Sequence, residues 1–101
     1  MTRYDKLVRD GIPDIIREKG GTPVYHIATR SEYERALTAK LREEVDEYLE
    51  SGAAEELADI LEVVYTLAAS AGYSNEQLNA LRDKKADERG GFTGRVILEE
   101  A

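Results

Sequence analysis

The sequence predicts a mainly α protein, an antiparallel helical bundle with two short terminal strands, in a single domain over residues 1–101. Three observations carry that prediction. Helix-opening motifs precede long apolar-periodic runs, glycines stand where those runs end, and β-branched segments occur only outside the helical core. In chain order, Pro13 suits a first helical position, and Gly20-Gly21 ends a short helix over 13–19. Val24 to Ala28 (VYHIA) is β-branched and aromatic and reads as a strand. Ser31-Glu32-Tyr33-Glu34 has the capping-box spacing, with Ser31 as N-cap and Glu34 reaching back. It opens a helix over 32–50 that stops at Ser51-Gly52. A second helix over 53–71 stops at Gly72. Ser74-Asn75-Glu76-Gln77 is another capping box, and the helix it opens runs to Glu88, before Gly90-Gly91. Arg95 to Glu99 (RVILE) reads as a second strand, a candidate partner for the first.

Size and composition narrow the function classes. A chain of 101 residues suffices for one domain and buries only a moderate fraction of its surface, which favours self-association. There is no cysteine, so disulfides, thiolate metal sites and Cys nucleophiles are excluded. The N-terminal stretch has no apolar leader core and no run is long enough to span a membrane, so a cytoplasmic location is expected. The net charge of −7 is unevenly placed. Ten acidic residues and no Lys or Arg fall between Glu43 and Leu81, while all 14 basic residues lie outside that window. An acidic centre argues against a nucleic-acid polymer as partner, which needs clustered cations against its phosphates. It suits a hard cation, with the basic flanks free to meet an anionic ligand attached to it.

Within that acidic centre stand two spaced motifs, Glu43-Glu44-Val45-Asp46-Glu47 and Glu56-Leu57-Ala58-Asp59. Residues three apart share a helix face, so Glu44 with Glu47, and Glu56 with Asp59, are two carboxylate pairs. In a tight antiparallel hairpin about Gly52, Glu47 lies level with Glu56, and Glu44 with Asp59, to within about one helical rise of ~1.5 Å. Leu37, Leu41, Val45 and Tyr48 form one stripe of the first helix, with Glu44 beside it. The second helix is apolar nearly all round and is expected to be buried. Four converging carboxylates repel one another unless protons or a cation neutralise them. An all-oxygen set selects Mg²⁺ or Mn²⁺, with Glu44, Glu47, Glu56 and Asp59 as ligands. The bland alternative is an ordinary solvated helix face.

Basic residues are candidates for contacts to substrate phosphate. Lys40, four before Glu44, is either an ion-pair partner or a phosphate contact. Lys84 and Arg89 stand near the Gly90-Gly91 break, where cations also compensate a helix C-terminus. Lys6 and Arg9, in YDKLVRDGIP, are a second basic pair. Tyr4 and Phe92 are candidates to stack on a base, though a packed aromatic is the favoured reading of each. His26 is the only histidine and, on a short strand, reads as structural or exposed rather than catalytic. Neither a P-loop nor a recognisable Ser/His/Asp triad is present.

K-x-x-E-E-x-x-E at Lys40, Glu43, Glu44 and Glu47, followed by E-E-L-A-D-I-L at Glu55 to Leu61, resembles the all-α nucleotide pyrophosphohydrolases, the superfamily of MazG-like enzymes and phosphoribosyl-ATP pyrophosphohydrolase. The opening YDKLVRDGIP and the RGGF at Arg89 to Phe92 look like a small single-domain, phosphoribosyl-ATP pyrophosphohydrolase-like subgroup. The resemblance implies hydrolysis of a nucleoside triphosphate or related nucleotide to a monophosphate and pyrophosphate. It also implies Mg²⁺ held by the four carboxylates above, and a homodimer or homotetramer. Glu43 would be a further ligand, a support for the ligands, or a water-orienting base. Two positions depart from the pattern: the gap between Glu47 and Glu56 is short, and Ile60-Leu61-Glu62-Val63 follow Asp59 where the histidine-biosynthesis enzyme commonly has a histidine. The competing readings are a non-catalytic dimeric helical module, which predicts no metal response, and a nucleotide sensor that binds without releasing pyrophosphate.

Overall fold

Helix boundaries follow the sequence punctuation closely. The computed structural model describes residues 4–101; Met1 to Arg3, within the N-terminal stretch discussed above, lie outside the described residues. The elements are α1 (Ile12–Glu18), α2 (Arg30–Ser51), α3 (Ala54–Ser70) and α4 (Asn75–Arg89). Pro13 sits in the first turn of α1. The capping box of α4 is formed in both directions: Ser74 Oγ accepts from Gln77 N at 3.1 Å, and Gln77 Oε1 accepts from Ser74 N at 2.8 Å.

One cap differs from expectation. Thr29, not Ser31, caps α2, its hydroxyl accepting from Glu32 N at 3.4 Å. The same Ser/Thr-x-x-Glu spacing occurs at Thr29–Glu32, and the earlier start gains a further half-turn of backbone hydrogen bonds. The reach-back expected of Glu34 is not made among the described residues: its Oε1 accepts from Arg30 Nε at 3.2 Å, and the Glu32 carboxylate lies 3.0 Å from His26 Nε2. The His26 side chain is 74% exposed in that contact.

Gly52 ends α2 in the left-handed conformation, φ 65°, and donates its N–H to Tyr48 O at 2.8 Å. Ser51 Oγ then accepts from Ala53 N at 3.1 Å, and α3 begins at once. So short a turn leaves α2 and α3 as antiparallel neighbours packed along their length. Leu37 and Val63 are buried at their contact, with Leu41, Val45 and Tyr48 half-buried beside them. The predicted stripe on α2 is therefore the face that meets α3. Helix α4 packs on α3 alone, helped by a 3.4 Å hydrogen bond between Tyr65 Oη and Asn79. Helix α1 packs on none of the other helices; Arg17 instead holds Tyr25 by a 3.2 Å hydrogen bond and lies over its ring.

Two expectations are corrected. Among the described residues there is no strand: 24–28 and 95–99 are irregular, with Ile27 87% and Val96 86% exposed. β-Branched composition favours an extended backbone, but a strand needs a partner ladder, and no backbone hydrogen bond joins these segments. Nor is α3 buried all round. Leu57 and Leu61 remain half exposed because α2 covers one side of α3 and α4 only part of another.

The uncovered surface is large. The accessible area is 8887 Å², against about 5,700 Å² expected for a compact chain of this mass. The radius of gyration, 17.6 Å, likewise exceeds the ~13 Å of a compact domain of this length. No helix among the described residues is long and apolar enough to cross a membrane.

Candidate functional site

The hairpin register brings acids from both motifs together. Glu44 on α2 and Glu56 and Asp59 on α3 each place a carboxylate oxygen within 4.8 Å of the others. Glu44 is the most enclosed, 6% exposed, because it stands next to the Leu37–Val45 stripe that faces α3. Its Oε1 lies 3.2 Å from Lys40 Nζ, while its buried Oε2 has no hydrogen-bond partner among the described residues. An anionic oxygen removed from water without a donor is costly, on the order of a few kcal/mol. Glu47 lies outside this triplet but is close enough to feel it. Hydrogen bonding and repulsion from the Glu44 carboxylate push the Glu47 carboxyl above the usual carboxylate range.

Cations rim the cluster. Arg9 Nη2 lies 2.7 Å from Asp59 Oδ1, and Lys6 Nζ lies 2.7 Å from Glu43 Oε1. Lys40 bridges Glu43 Oε2 at 3.4 Å and Glu44 Oε1. The Lys6 hydrogen bond and the nearby Lys40 charge hold Glu43 below the ordinary carboxylate range. Lys6 is correspondingly raised by Glu43. Lys40 thus satisfies its ion-pair reading directly. Lys6 and Arg9, expected to face phosphate, here face carboxylates instead.

Between residues 7–10, α2 and α3 lies a cavity of about 260 Å³, open on one side. Arg9, Lys40, Glu44 and Asp59 supply its charged wall, and Leu37 and Val63 its apolar floor. Glu62 and Tyr33 also line it, and neither was singled out from the sequence. The signal for Glu62 was present, since it continues the three-residue spacing of Glu56 and Asp59. Tyr33 carried no comparable mark.

The structure does not bring every expected residue to this place. Among the described residues, Lys84 and Arg89 neither line the cavity nor pair with its acids, since α4 reaches only α3. Phe92 is 98% exposed and Tyr4 lies 5.9 Å from the Lys6 ammonium, so neither packs as a core aromatic.

Comparison with known proteins gives little that bears on this geometry. No family model matches the chain, and no solved structure matches it. An uncharacterized protein of Mycolicibacterium smegmatis (strain ATCC 700084 / mc(2)155) is similar, 55% identical over 42 residues. That stretch is 42% of this chain and spans 43% of the length of the relative.

Proposed function

We propose that the chain is a metal-dependent nucleotide pyrophosphohydrolase of the MazG-like kind. It would cleave a nucleoside triphosphate, or a related nucleotide such as phosphoribosyl-ATP, at the α–β linkage to a monophosphate and pyrophosphate. The observation that carries the reading is the convergence of Glu44, Glu56 and Asp59 beside a buried Glu44 oxygen that has no donor among the described residues. Such an oxygen fits a hard cation, and the all-carboxylate set suits Mg²⁺ or Mn²⁺. When bound, the ion neutralises charge on the phosphate chain and on departing pyrophosphate.

The remaining work falls to the chain. Glu44, Glu56 and Asp59 hold the ion, with Glu47 beside them to complete the set. Lys40, Lys6 and Arg9 supply positive charge along the path of the phosphates. Glu43 is ionised at neutral pH because Lys6 and Lys40 hold its carboxyl low. That makes it a good acceptor for a water hydrogen and a weak proton base, so orienting the attacking water is the role it suits. The cavity, about 260 Å³, is smaller than the ~300–1,000 Å³ usual for ligand pockets. It accommodates a phosphate chain better than a whole nucleotide, which leaves the base to lie elsewhere. A second copy of the chain, packed on the uncovered face of α3, is a natural source of that remaining wall. A homodimer or homotetramer is therefore part of the proposal.

The test is pyrophosphate release from a panel of nucleoside triphosphates and phosphoribosyl-ATP, with Mg²⁺, Mn²⁺ or EDTA, beside Asp59→Asn. The expected result is metal-dependent release that falls at least about 100-fold in the variant. Unchanged turnover by a folded Asp59→Asn protein would sink the reading. The exposed Leu57 and Leu61 face favours one rival, a helical assembly module. It predicts assembly with neither release nor any effect of metal on stability. Stabilisation by metal and nucleotide without release would identify a sensor.

A further inference from the structure

The cations nearest the carboxylates come from one short segment that precedes α1. We propose that residues 4–11 form a strap whose two cations, Lys6 and Arg9, close over the carboxylates and are displaced by a divalent cation, Arg9 leaving Asp59 and Lys6 leaving Glu43. The inference rests on the metal reading above and concerns what the ion must do to enter.

Asp59 is claimed twice. It contributes an oxygen to the triplet with Glu44 and Glu56, and its Oδ1 holds Arg9 Nη2 at 2.7 Å. A divalent ion about 2.1 Å from a carboxylate oxygen and a guanidinium on the same carboxylate repel each other strongly. Either the ion binds weakly or Arg9 moves. The two pairs made by the strap are suited to opening: Arg9 is 57% and Lys6 41% exposed at the side chain, so water screens both contacts. The strap also leaves the innermost oxygen alone. Glu44 Oε2 remains buried without a donor among the described residues, while Asp59 and Glu43 are paired with Arg9 and Lys6. The segment therefore quiets the rim without filling the place the ion takes.

Leu7 lies half-buried in the cavity wall and gives the strap a foothold that need not break when its charges swing away. Once released, Lys6 and Arg9 are positioned at the mouth of the cavity, facing whatever anion accompanies the ion. The same two residues thus serve as counter-ions to the empty cluster and as phosphate contacts in the loaded one. Departure of Lys6 also frees Glu43 from its closest cation, so water orientation at Glu43 is coupled to loading.

The experiment uses the full chain and Mn²⁺ as the probe, with binding followed by calorimetry for wild type and for Lys6→Gln/Arg9→Gln. Both substitutions are at exposed side chains and leave the α2–α3 packing untouched. Removing two screened pairs that compete with the ion should tighten Mn²⁺ binding about five- to tenfold. Unchanged or weaker binding in the variant, with wild type binding normally, overturns the strap and leaves the metal reading standing. Absence of Mn²⁺ uptake by both proteins overturns the metal reading and the strap together. A second readout uses the lack of native cysteine: Tyr4→Cys, at a position 68% exposed, carries a single spin label. Its mobility should rise when Mg²⁺ is added to otherwise wild-type protein, and should be high from the start in the Lys6→Gln/Arg9→Gln background. A label whose mobility is indifferent to Mg²⁺ at saturating concentration also overturns the strap.

Discussion

At the scale of single residues, the site is defined by unequal treatment of similar carboxyl groups. Glu43 and Glu47 flank Glu44 in sequence, yet their proton affinities move in opposite directions. Lys6 holds Glu43 low, while the Glu44 carboxylate pushes Glu47 up. The consequences for stability have opposite signs. The contribution of Glu43 is present above its unfolded value and is lost as pH falls through its lower folded value. That of Glu47 is full below its unfolded value and is lost as pH rises through its higher folded value. Glu47→Gln should therefore raise the metal-free melting temperature at neutral pH, and the gain should vanish as the medium is acidified. Melts in EDTA from about pH 4 to about pH 8 check this; a variant no more stable than wild type at neutral pH would show that Glu47 does not feel Glu44. Lys40 was legible as an ion-pair partner from its four-residue spacing. The approach of Lys6 and Arg9 was not, because they lie 37 and 50 residues from their partners.

At the scale of elements, two short motifs have different consequences. Gly52 sets the hairpin on which Glu44 meets Asp59, and its φ of 65° is one that a side chain adopts at a cost. Nothing lies within 4 Å of a Cβ built there, so Gly52→Ala should cost about 1–2 kcal/mol from backbone conformation alone. Ser74→Ala removes the capping box of α4 and should cost about 1 kcal/mol. The two are distinguished by metal. Because α4 supplies no wall of the cavity, Ser74→Ala should leave intact the rise in melting temperature that the proposed site predicts on adding Mg²⁺. Gly52→Ala, by disturbing the register of the two acidic motifs, should reduce it. Urea unfolding with and without Mg²⁺ measures both effects, and equal metal responses in the two variants would contradict the assignment of the site to the α2–α3 hairpin.

At the scale of the whole molecule, the single chain leaves much apolar surface uncovered. Its accessible area is more than half as large again as that of a compact chain of its mass. Among the described residues only Leu37 and Val63 are buried as core side chains, while Leu57, Leu61 and Leu81 stand about half exposed on α3 and α4. Association of copies through this face would supply core that one chain lacks. Sedimentation at micromolar concentration should give at least twice the 11.3 kDa chain mass, and Leu57→Lys/Leu61→Lys should shift the protein toward monomer and lower its stability. A wild-type monomer of undiminished stability would remove this part of the proposal.

What the sequence determined by itself is local. Helix ends, the Gly52 turn, the α4 capping box and the level alignment of Glu44 with Asp59 all depend on residues close along the chain or equidistant from one turn. Their energetics are those of backbone conformation and short-range hydrogen bonds, which motif spacing encodes directly. What only the tertiary structure decided is which face meets which. It left the β-branched segments 24–28 and 95–99 without a ladder, half of α3 open, Lys84 and Arg89 away from the acids, and the N-terminal cations against them. Strand pairing, burial and long-range ion pairs each require two distant segments to arrive together. Composition can favour that arrival, but only the packing of α2 against α3, and of residues 4–11 across them, fixes the partners.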